Sequence, residues 1–415
     1  MMLSRLLIFA LLPAALSAQA ESPPSPVAEI HKRSLVLDAH ADIATPDRAR
    51  YLLADGRSRV SPELLKSGQV DAVVMTISVD GPGDRSATDY QAARLQADAE
   101  LAEVERLISA SDGQIVLATS AQAVLDAHEG GKTSFILALQ NARILGTDLN
   151  AIDEFYAAGV RVFALTHLGH NAWADSSRRK FDGSSQSYEA EAEHGGLSEL
   201  GRKAVKRIND LGAVVDISQL SKPAALEVMR LSTTPVIASH SNVQQLSQVQ
   251  RNLSNEEIDL IGATGGVVHI APFKGYLLDF SKPELISNLK RVRREAGIQE
   301  NYDYPYELYW ELETEAEKMA FIAQVNEVLG EATLDHFLDH IDYVVDRIGI
   351  DHVGIGTDFN HGSRIVGFED ASQAINVTDG LISRGYTPEQ IEKIWGMNFI
   401  RVLRQAVNYN PPSDS

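Results

Sequence analysis

Eight short apolar segments that alternate with helix-like segments constrain the fold of this 415-residue chain more than any other feature. They are rich in Val and Ile, nearly continuous and bounded by turn residues, which is typical of parallel strands buried on both faces. The segments cover residues 35–37, 72–79, 134–139, 160–165, 213–217, 235–238, 266–270 and 352–355. Eight strands alternating with helices favour an α/β fold, a closed (β/α)₈ barrel of the TIM type, and an open doubly wound sheet is the alternative.

Two connections are much longer than ordinary barrel loops: residues 169–196 after the fourth strand and residues 272–333 after the seventh. The first is polar, and the second has its own helical patterns and an aromatic cluster at residues 302–310. Long insertions at the carboxyl ends of barrel strands lie over the mouth where active sites form. Both are candidate lids, and surface elaboration without function is the alternative for the second.

The first twenty residues have the pattern of a secretory signal peptide. Arg5 supplies the positive start, residues 6–16 form an apolar core, and Ala18, Gln19 and Ala20 form an A-x-A cleavage signature. The apolar core is too short for a membrane span. We therefore expect cleavage after Ala20, a secreted or periplasmic protein without a membrane anchor, and a single barrel domain over residues 21–415.

Cysteine content and net charge exclude several classes of site and partner. The chain has no cysteine, so a disulfide framework, a thiolate metal site and a cysteine nucleophile are excluded. Its formal net charge of −20 argues against nucleic acid or an anionic membrane surface as partner. The hydrophobic content of 44% suits a globular core.

Imidazole and carboxylate side chains follow four of the predicted strands. The first strand leads into His40 and Asp42, which are two residues apart and therefore share a face that points into the barrel mouth. The fourth, sixth and eighth segments lead into His167, His240 and Asp358. Each alone is typical of a core or capping residue, but a buried carboxylate is costly unless it is paired or bound to metal. Together they predict a metal site at the barrel mouth.

Five segments of the chain resemble the membrane (renal-type) dipeptidases, peptidase family M19, which are metal-dependent barrels of the amidohydrolase type. The segments are DAHAD at residues 38–42, LTH at 165–167 with WAD at 173–175, LGAVVD at 211–216, PVIASHS at 235–241 and VGIGTDF at 353–359. The resemblance covers most of the chain after the leader. It implies the barrel fold, a dipeptide-like substrate and two zinc ions at the mouth, and a homodimer would be ordinary for this family.

The resemblance assigns metal ligands to four of these positions. His40 and Asp42 match the ligands of the first strand, and His240 matches a histidine of the second metal. Asp358 matches the carboxylate of the last strand, which binds metal and handles the proton.

Two further ligand positions depart from the family. Gln140 stands where the family has a metal-bridging glutamate, and Gln219 stands where it has the histidine of the fifth strand. Two divalent ions at ~3.5 Å repel each other by roughly 20 kcal/mol at an effective dielectric near 20. A bridging carboxylate offsets part of this repulsion, whereas a neutral amide does not. We therefore expect one Zn²⁺, a doubtful second ion, and Gln140 and Gln219 as weak ligands.

The resemblance also assigns residues to the substrate. His167 matches the histidine that contacts the substrate and the developing oxyanion, and Arg251 matches the arginine that holds the substrate's terminal carboxylate. A guanidinium suits that role because it grips carboxylates bidentately. These assignments predict hydrolysis of a dipeptide-like amide by a metal-activated water, with Asp358 as base. The alternatives are another hydrolysis or an isomerisation on the same barrel, and a non-catalytic protein that binds a small ligand.

Overall fold

The computed structural model describes residues 25–45, 50–182, 185, 187–302, 304–307 and 309–407. The strands of its main sheet are β1 (Leu37–Asp42), β2 (Ala72–Ser78), β3 (Ile115–Leu117), β4 (Thr133–Gln140), β5 (Val160–Ala164), β8 (Val214–Asp216), β9 (Ile237–Ala238), β10 (Val267–Ile270) and β11 (Val353–Ile355). A separate antiparallel hairpin contains β6 (Phe181–Asp182) and β7 (Ser187–Tyr188).

Eight of these strands form a closed parallel barrel in the order β1-β2-β4-β5-β8-β9-β10-β11. Closure occurs between the first and last strands, where Asp42 N donates to Phe359 O at 2.9 Å and Asp358 N donates to His40 O at 2.8 Å. The predicted (β/α)₈ barrel is therefore confirmed. β3 pairs with β4 outside the barrel path.

Helices connect the strands and pack outside the barrel. Those described are α1 (Pro26–Arg33), α2 (Pro62–Ser67), α3 (Ala87–Ser109), α4 (Ala121–Glu129), α5 (Ala151–Ala157), α6 (Glu199–Asp210), α7 (Lys222–Leu231), α8 (Asn255–Ala263), α9 (Lys274–Leu277), α10 (Pro283–Glu295), α11 (Glu315–Leu329), α12 (Leu334–Ile348), α13 (Ala374–Ser383), α14 (Pro388–Glu392) and α15 (Asn398–Val407). Helix α8 begins with a capping box in which Ser254 and Glu257 satisfy each other's backbone N–H groups.

The barrel interior is apolar below its mouth and polar at it. Alternate strand residues such as Val74, Ile136 and Val214 belong to one buried apolar cluster, which α15 extends with Phe399 and Leu403. Thr76 and Asp216 follow Val74 and Val214 by two residues, and Gln140 follows Ile136 by four; all three polar residues are also buried. Because side chains two apart share a face of a strand, the apolar interior carries a polar layer at the carboxyl ends of the strands.

β1 begins at Leu37 and continues through Asp42, so His40 and Asp42 lie within the strand and not after it.

The strand pattern did not predict three short elements, namely β3, β6 and β7. β3 has three residues, and each strand of the β6–β7 hairpin has two. Segments this short carry too few alternating residues to produce a recognisable period.

The two long connections lie on the carboxyl side of the barrel. The β6–β7 hairpin belongs to the connection after β5, and helices α9, α10 and α11 belong to the connection after β10. Among the described helices, none is both long enough and apolar enough to cross a membrane. The signal peptide predicted for residues 1–20 lies outside the described residues.

Candidate active site

Three predicted ligands converge at the junction of β1 and β11. His40 Nε2 lies 3.4 Å from Asp42 Oδ1 and 3.8 Å from Asp358 Oδ1, and all three residues are buried. Asp358 follows β11 and has a φ of 55°, a left-handed conformation that costs about 1–3 kcal/mol in most non-glycine residues and clusters at functional sites. That conformation follows the strand at the point where the Asp358 N–H reaches His40 O.

The His40 ring is oriented by hydroxyl groups behind it. Its Nδ1 lies 3.2 Å from Thr76 Oγ1 and 3.2 Å from Ser239 Oγ. Ser239 donates its single hydroxyl hydrogen to Asp216 Oδ2 at 2.5 Å, so its oxygen accepts from imidazoles. His40 therefore carries a hydrogen on Nδ1 and directs Nε2 toward Asp42 and Asp358, the arrangement that a metal ligand needs.

The surroundings of His40 favour a positive charge. Burial lowers the pKa of His40, but Asp42, Asp358 and Asp216 together raise it above its ordinary value. Burial also raises the pKa of Asp358, against the lowering effect of His361 and His40. Three carboxylates around one imidazole thus form a buried site whose charge balance calls for a cation.

His240 lies beside His40 but has different partners. The two rings stack with centroids 3.8 Å apart, and His240 Nδ1 lies 2.7 Å from Ser239 Oγ. Its Nε2 lies 3.3 Å from Gln140 Nε2 and 3.5 Å from Gln219 Nε2. Because an amide nitrogen is a donor, the two glutamines direct hydrogens at the lone pair that would otherwise bind metal. Burial keeps the pKa of His240 well below its usual range, so the ring accepts these bonds as a neutral imidazole.

His167 follows β5 on the adjacent side of the mouth. Gly81 N donates to His167 Nδ1 at 3.5 Å, which leaves the ring hydrogen on Nε2. That nitrogen lies 3.9 Å from Asp80 Oδ1. Burial lowers the pKa of His167 to about 3, so it is a neutral hydrogen-bond donor at physiological pH.

His361, which the strand pattern did not predict as a site residue, is part of the cluster. Its Nδ1 lies 2.6 Å from Asp42 Oδ2, and its ring lies 5.2 Å from that of His167. It therefore links the His40 cluster to His167. In the sequence, His361 stands three residues after Asp358, and Asp80 directly follows an apolar strand segment, so their positions near strand ends are the available signal.

Arg251 is buried near the site but bonded to the chain itself. Its Nη1 donates to Ser241 Oγ and its Nη2 donates to His240 O, both at 2.7 Å. The guanidinium carbon lies 5.2 Å from the centre of the Tyr276 ring. Arg251 is 3% exposed, so the structure places it close to the predicted ligands, behind Tyr276.

Within the described residues, three groups of side chains bring potential ligand atoms within 4.8 Å of one another. The groups are His40, Asp42 and Asp358; His40, Asp216 and His240; and Asp80, His167 and His361. Four predicted ligands, His40, Asp42, His240 and Asp358, thus lie together. Asp216 is already occupied by Ser218 N, Ser239 N and Ser239 Oγ, which leaves the first group as the best arranged for a cation.

Comparisons with known proteins agree with the sequence resemblance. The family model for membrane dipeptidases, peptidase family M19, matches residues 25–414. Dipeptidase tcpJ of Claviceps purpurea is 26% identical over 375 residues, which cover 89% of this chain and 74% of that protein. Dipeptidase 3 of Homo sapiens is 24% identical over 380 residues, which cover 89% of this chain and 65% of that protein.

Solved structures of similar fold include relatives of the same kind. The probable dipeptidase PvdM from Pseudomonas aeruginosa superposes with a TM-score of 0.79 at 31% identity, over 92% of this chain and 97% of that chain. A metallopeptidase from Rhodobacter sphaeroides, liganded with a phosphinate mimic of the dipeptide L-Ala-D-Ala, superposes with a TM-score of 0.68 at 22% identity. That superposition covers 89% of this chain and 99% of that chain.

Proposed function

Because this chain belongs to the membrane dipeptidase family, peptidase family M19, we propose that it is an exported hydrolase that cleaves a dipeptide-like amide bond with one metal ion. Metal-dependent dipeptide hydrolysis is the chemistry of this family of hydrolases. The single ion, the roles of individual residues and the export are the parts that we add. The observation that carries the proposal is the contrast between the partners of His40 and those of His240.

The His40 cluster fits a divalent cation. Within the described part of the chain, His40 Nε2 is buried without a hydrogen bond, although it faces Asp42 and Asp358. His40, Asp42 and Asp358 would hold the ion, and the nitrogen and carboxylate oxygen donors suit Zn²⁺. Such an ion polarises a bound carbonyl and lowers the pKa of water toward 7.

The His240 side of the site supports one ion in preference to two. His240 Nε2 faces two amide nitrogens, and neither Gln140 nor Gln219 brings a negative charge. A second cation would have to displace these donors and would meet the repulsion of the first without a bridging carboxylate. We therefore assign Gln140 and Gln219 to the closure of the second site.

The remaining polar groups supply the proton transfers and the positioning of the substrate. Asp358 is the general base that takes a proton from the attacking water and delivers it to the leaving nitrogen. His167 donates its Nε2 hydrogen to the carbonyl oxygen as negative charge develops there. Amide cleavage then adds water across the carbon–nitrogen bond.

The proposed substrate is a dipeptide-like molecule with a free carboxylate. The Rhodobacter sphaeroides relative is liganded with a phosphinate mimic of L-Ala-D-Ala, so L-Ala-D-Ala is the first substrate to test. Arg251 retains the role that the resemblance gives it, as a buried positive charge that attracts the terminal carboxylate. Export rests on the N-terminal leader pattern, and the mature chain is expected to begin at Glu21, which N-terminal sequencing checks.

Elemental analysis of protein purified without chelators tests the metal proposal. We expect one metal ion per chain, hydrolysis of L-Ala-D-Ala, loss of hydrolysis after chelation, and recovery when Zn²⁺ is returned. Two ions per chain would refute the single-ion proposal. Metal-free protein without hydrolysis would favour a binding protein built on the same barrel.

A further inference from the structure

A cavity of 690 Å³ lies beside the His40 cluster, between the barrel mouth and the connection that follows β10. We propose that it binds the distal part of a substrate longer than a dipeptide: an acidic, peptide-like chain with an aromatic side chain. This inference rests on the proposed function, because the cavity would hold what extends beyond the scissile amide. We call this space the distal cavity.

The distal cavity is larger than a small dipeptide requires. Pockets for drug-sized ligands occupy about 300–1,000 Å³, and 690 Å³ lies well within this range. Helix α11 contributes Met319, Ile322 and Asn326 to its wall, so the long connection after β10 encloses the space. A dipeptide of two alanines would leave most of it to water.

Charge in the distal cavity opposes the charge of the whole protein. Seven Arg and Lys side chains line it against three Asp and Glu side chains, in a chain whose formal net charge is −20. Arg143 is paired with Asp89, and Arg50 lies 3.5 Å from Glu315. Without Arg143 and Arg50, the cavity is still lined by five cationic and three anionic side chains. A ligand that enters this cavity is therefore favoured if it is acidic.

Arg178 is one of the five remaining cations and lies against the aromatic wall of the cavity. Its guanidinium carbon lies 5.2 Å from the centre of the Tyr304 ring, and within the described part of the chain no carboxylate lies within salt-bridge distance of it. Arg251, by contrast, is bonded to Ser241 and to His240 O, and it is not among the described residues that line the cavity. An arginine that lies over an aromatic face and has no carboxylate salt bridge suits a carboxylate ligand.

Aromatic rings lie beside these cations in the wall of the distal cavity. Six aromatic side chains line the cavity: Tyr51, Phe273, Tyr276, Tyr304, Tyr306 and Tyr309. Within this wall the Phe273 and Tyr276 rings stack at 4.5 Å, and the Tyr304 ring lies 5.6 Å from Tyr276. Offset and edge-on contacts between rings give such a wall a preference for an aromatic side chain.

The distal cavity is continuous with the cluster proposed to cleave the amide. His167 and His361 line it, and His361 Nδ1 lies 2.6 Å from Asp42 Oδ2. A chain whose amide sits at His167 thus extends past Arg178 and Tyr304. The two arrangements share a boundary but depend on different residues, so they can be tested separately.

Binding to the His40→Ala variant tests the cavity alone, because His40 does not line it. The probes are Glu-Phe-Ala-Ala and Ala-Ala-Phe-Glu, which cover both chain directions, their counterparts with Gln in place of Glu, and L-Ala-D-Ala. Isothermal titration calorimetry is expected to show that at least one acidic probe binds about 10-fold more tightly than its Gln counterpart, the scale of a charge-assisted hydrogen bond. The same probe should bind more tightly than L-Ala-D-Ala.

Arg178→Gln in the His40→Ala background should remove the preference for Glu over Gln, and Arg178→Lys should keep part of it. Arg291→Gln is the matched control, because it removes the same charge from an exposed residue paired with Glu295. Tyr304→Phe should keep the affinity for the Phe-containing probes, and Tyr304→Ala should lower it. Equal binding of acidic and Gln probes, or a preference that survives Arg178→Gln, would overturn the inference.

Hydrolysis by the wild-type protein separates the two proposals. If it cleaves L-Ala-D-Ala and the acidic probes show no preference, the cavity inference fails and the proposed function stands. If the acidic probes bind as expected and no peptide is cleaved, the proposed function fails, and the cavity is a binding site for an acidic, aromatic peptide that the protein does not cleave.

Discussion

His40 and His240 are buried histidines with stacked rings and a shared contact at Ser239, yet their Nε2 atoms face opposite chemistry. The Nε2 atom of His40 faces the carboxylates of Asp42 and Asp358. The Nε2 atom of His240 faces the amide nitrogens of two glutamines. The surroundings accordingly move the pKa of the first ring up and that of the second down.

Under the proposed function, this difference corresponds to a second metal site that is closed while the fold is kept. Gln140 and Gln219 are similar in length to the glutamate and histidine that the resemblance expects at these positions, but they contribute hydrogen-bond donors where a cation would stand. The ring of His240 is therefore satisfied by the protein alone. The Nε2 atom of His40 lacks such a partner, and of the two rings His40 is the one whose neighbouring carboxylates supply negative charge for a cation.

The largest expected effect separates His40→Ala from its matched control His240→Ala. His40→Ala should lose most of its metal, and kcat/KM should fall by at least about three orders of magnitude, because the reacting groups lose the polarising cation. His240→Ala should keep one ion per chain. Elemental analysis and hydrolysis of L-Ala-D-Ala measure both effects, and equal metal loss in the two variants would erase the distinction between the two sides.

Replacing the two glutamines by the residues that the resemblance expects should allow a second ion to bind. The double variant Gln140→Glu, Gln219→His should bind a second ion, with an affinity at least about 100-fold above that of the wild type, because it restores a bridging charge and an imidazole. Gln140→Met is the control, since it removes the amide donor without adding a ligand charge. Titration with Co²⁺ followed by absorption spectroscopy counts the ions, and one ion in the double variant would contradict the proposed cause.

A smaller effect on metal affinity is expected from the hydroxyl groups that contact the Nδ1 atoms of His40 and His240. Ser239→Ala removes the acceptor that orients both imidazoles, and it should weaken metal binding by about 10–100-fold, the usual cost of losing such a supporting group. Thr76→Val removes the other hydroxyl near His40 Nδ1 and should cost less, because Ser239 remains. Competition with a chelator measures both affinities, and the reverse order would mean that Thr76 orients the ring.

The last effect concerns stability and a buried histidine that is not among the candidate ligands. His340 Nδ1 accepts from Val243 N at 3.0 Å, and burial lowers its pKa to about 4. Because the unfolded pKa is 6.5, its stabilising contribution is complete above pH 6.5 and is lost as the pH falls toward 4. The loss at pH 5 is about 2 kcal/mol. Urea unfolding of wild type and His340→Asn at pH 7.5 and pH 5 should show a flatter pH dependence in the variant, and equal slopes would refute this assignment.

Much of the fold was predictable because burial leaves a local signature. Continuous apolar segments located the eight barrel strands, and the strand-end rule placed His40, His240 and Asp358 at one mouth. The short β3 and the β6–β7 hairpin left no period to detect. His361 and Asp80 stand just after strand ends and were within reach of the same rule, but nothing in their neighbouring residues distinguished them from ordinary loop residues.

By itself, the sequence determined the barrel, the family and the identities of the candidate ligands, since a strand's period fixes which side chains share its face. Tertiary structure decided which of those side chains meet. Asp42 and His361 are separated by 319 residues, and barrel closure alone brings them within 2.6 Å. Closure likewise turned Gln140 and Gln219 toward His240 and set Arg178 into a cavity, because distances across a barrel depend on how all eight strands pack and not on any local pattern.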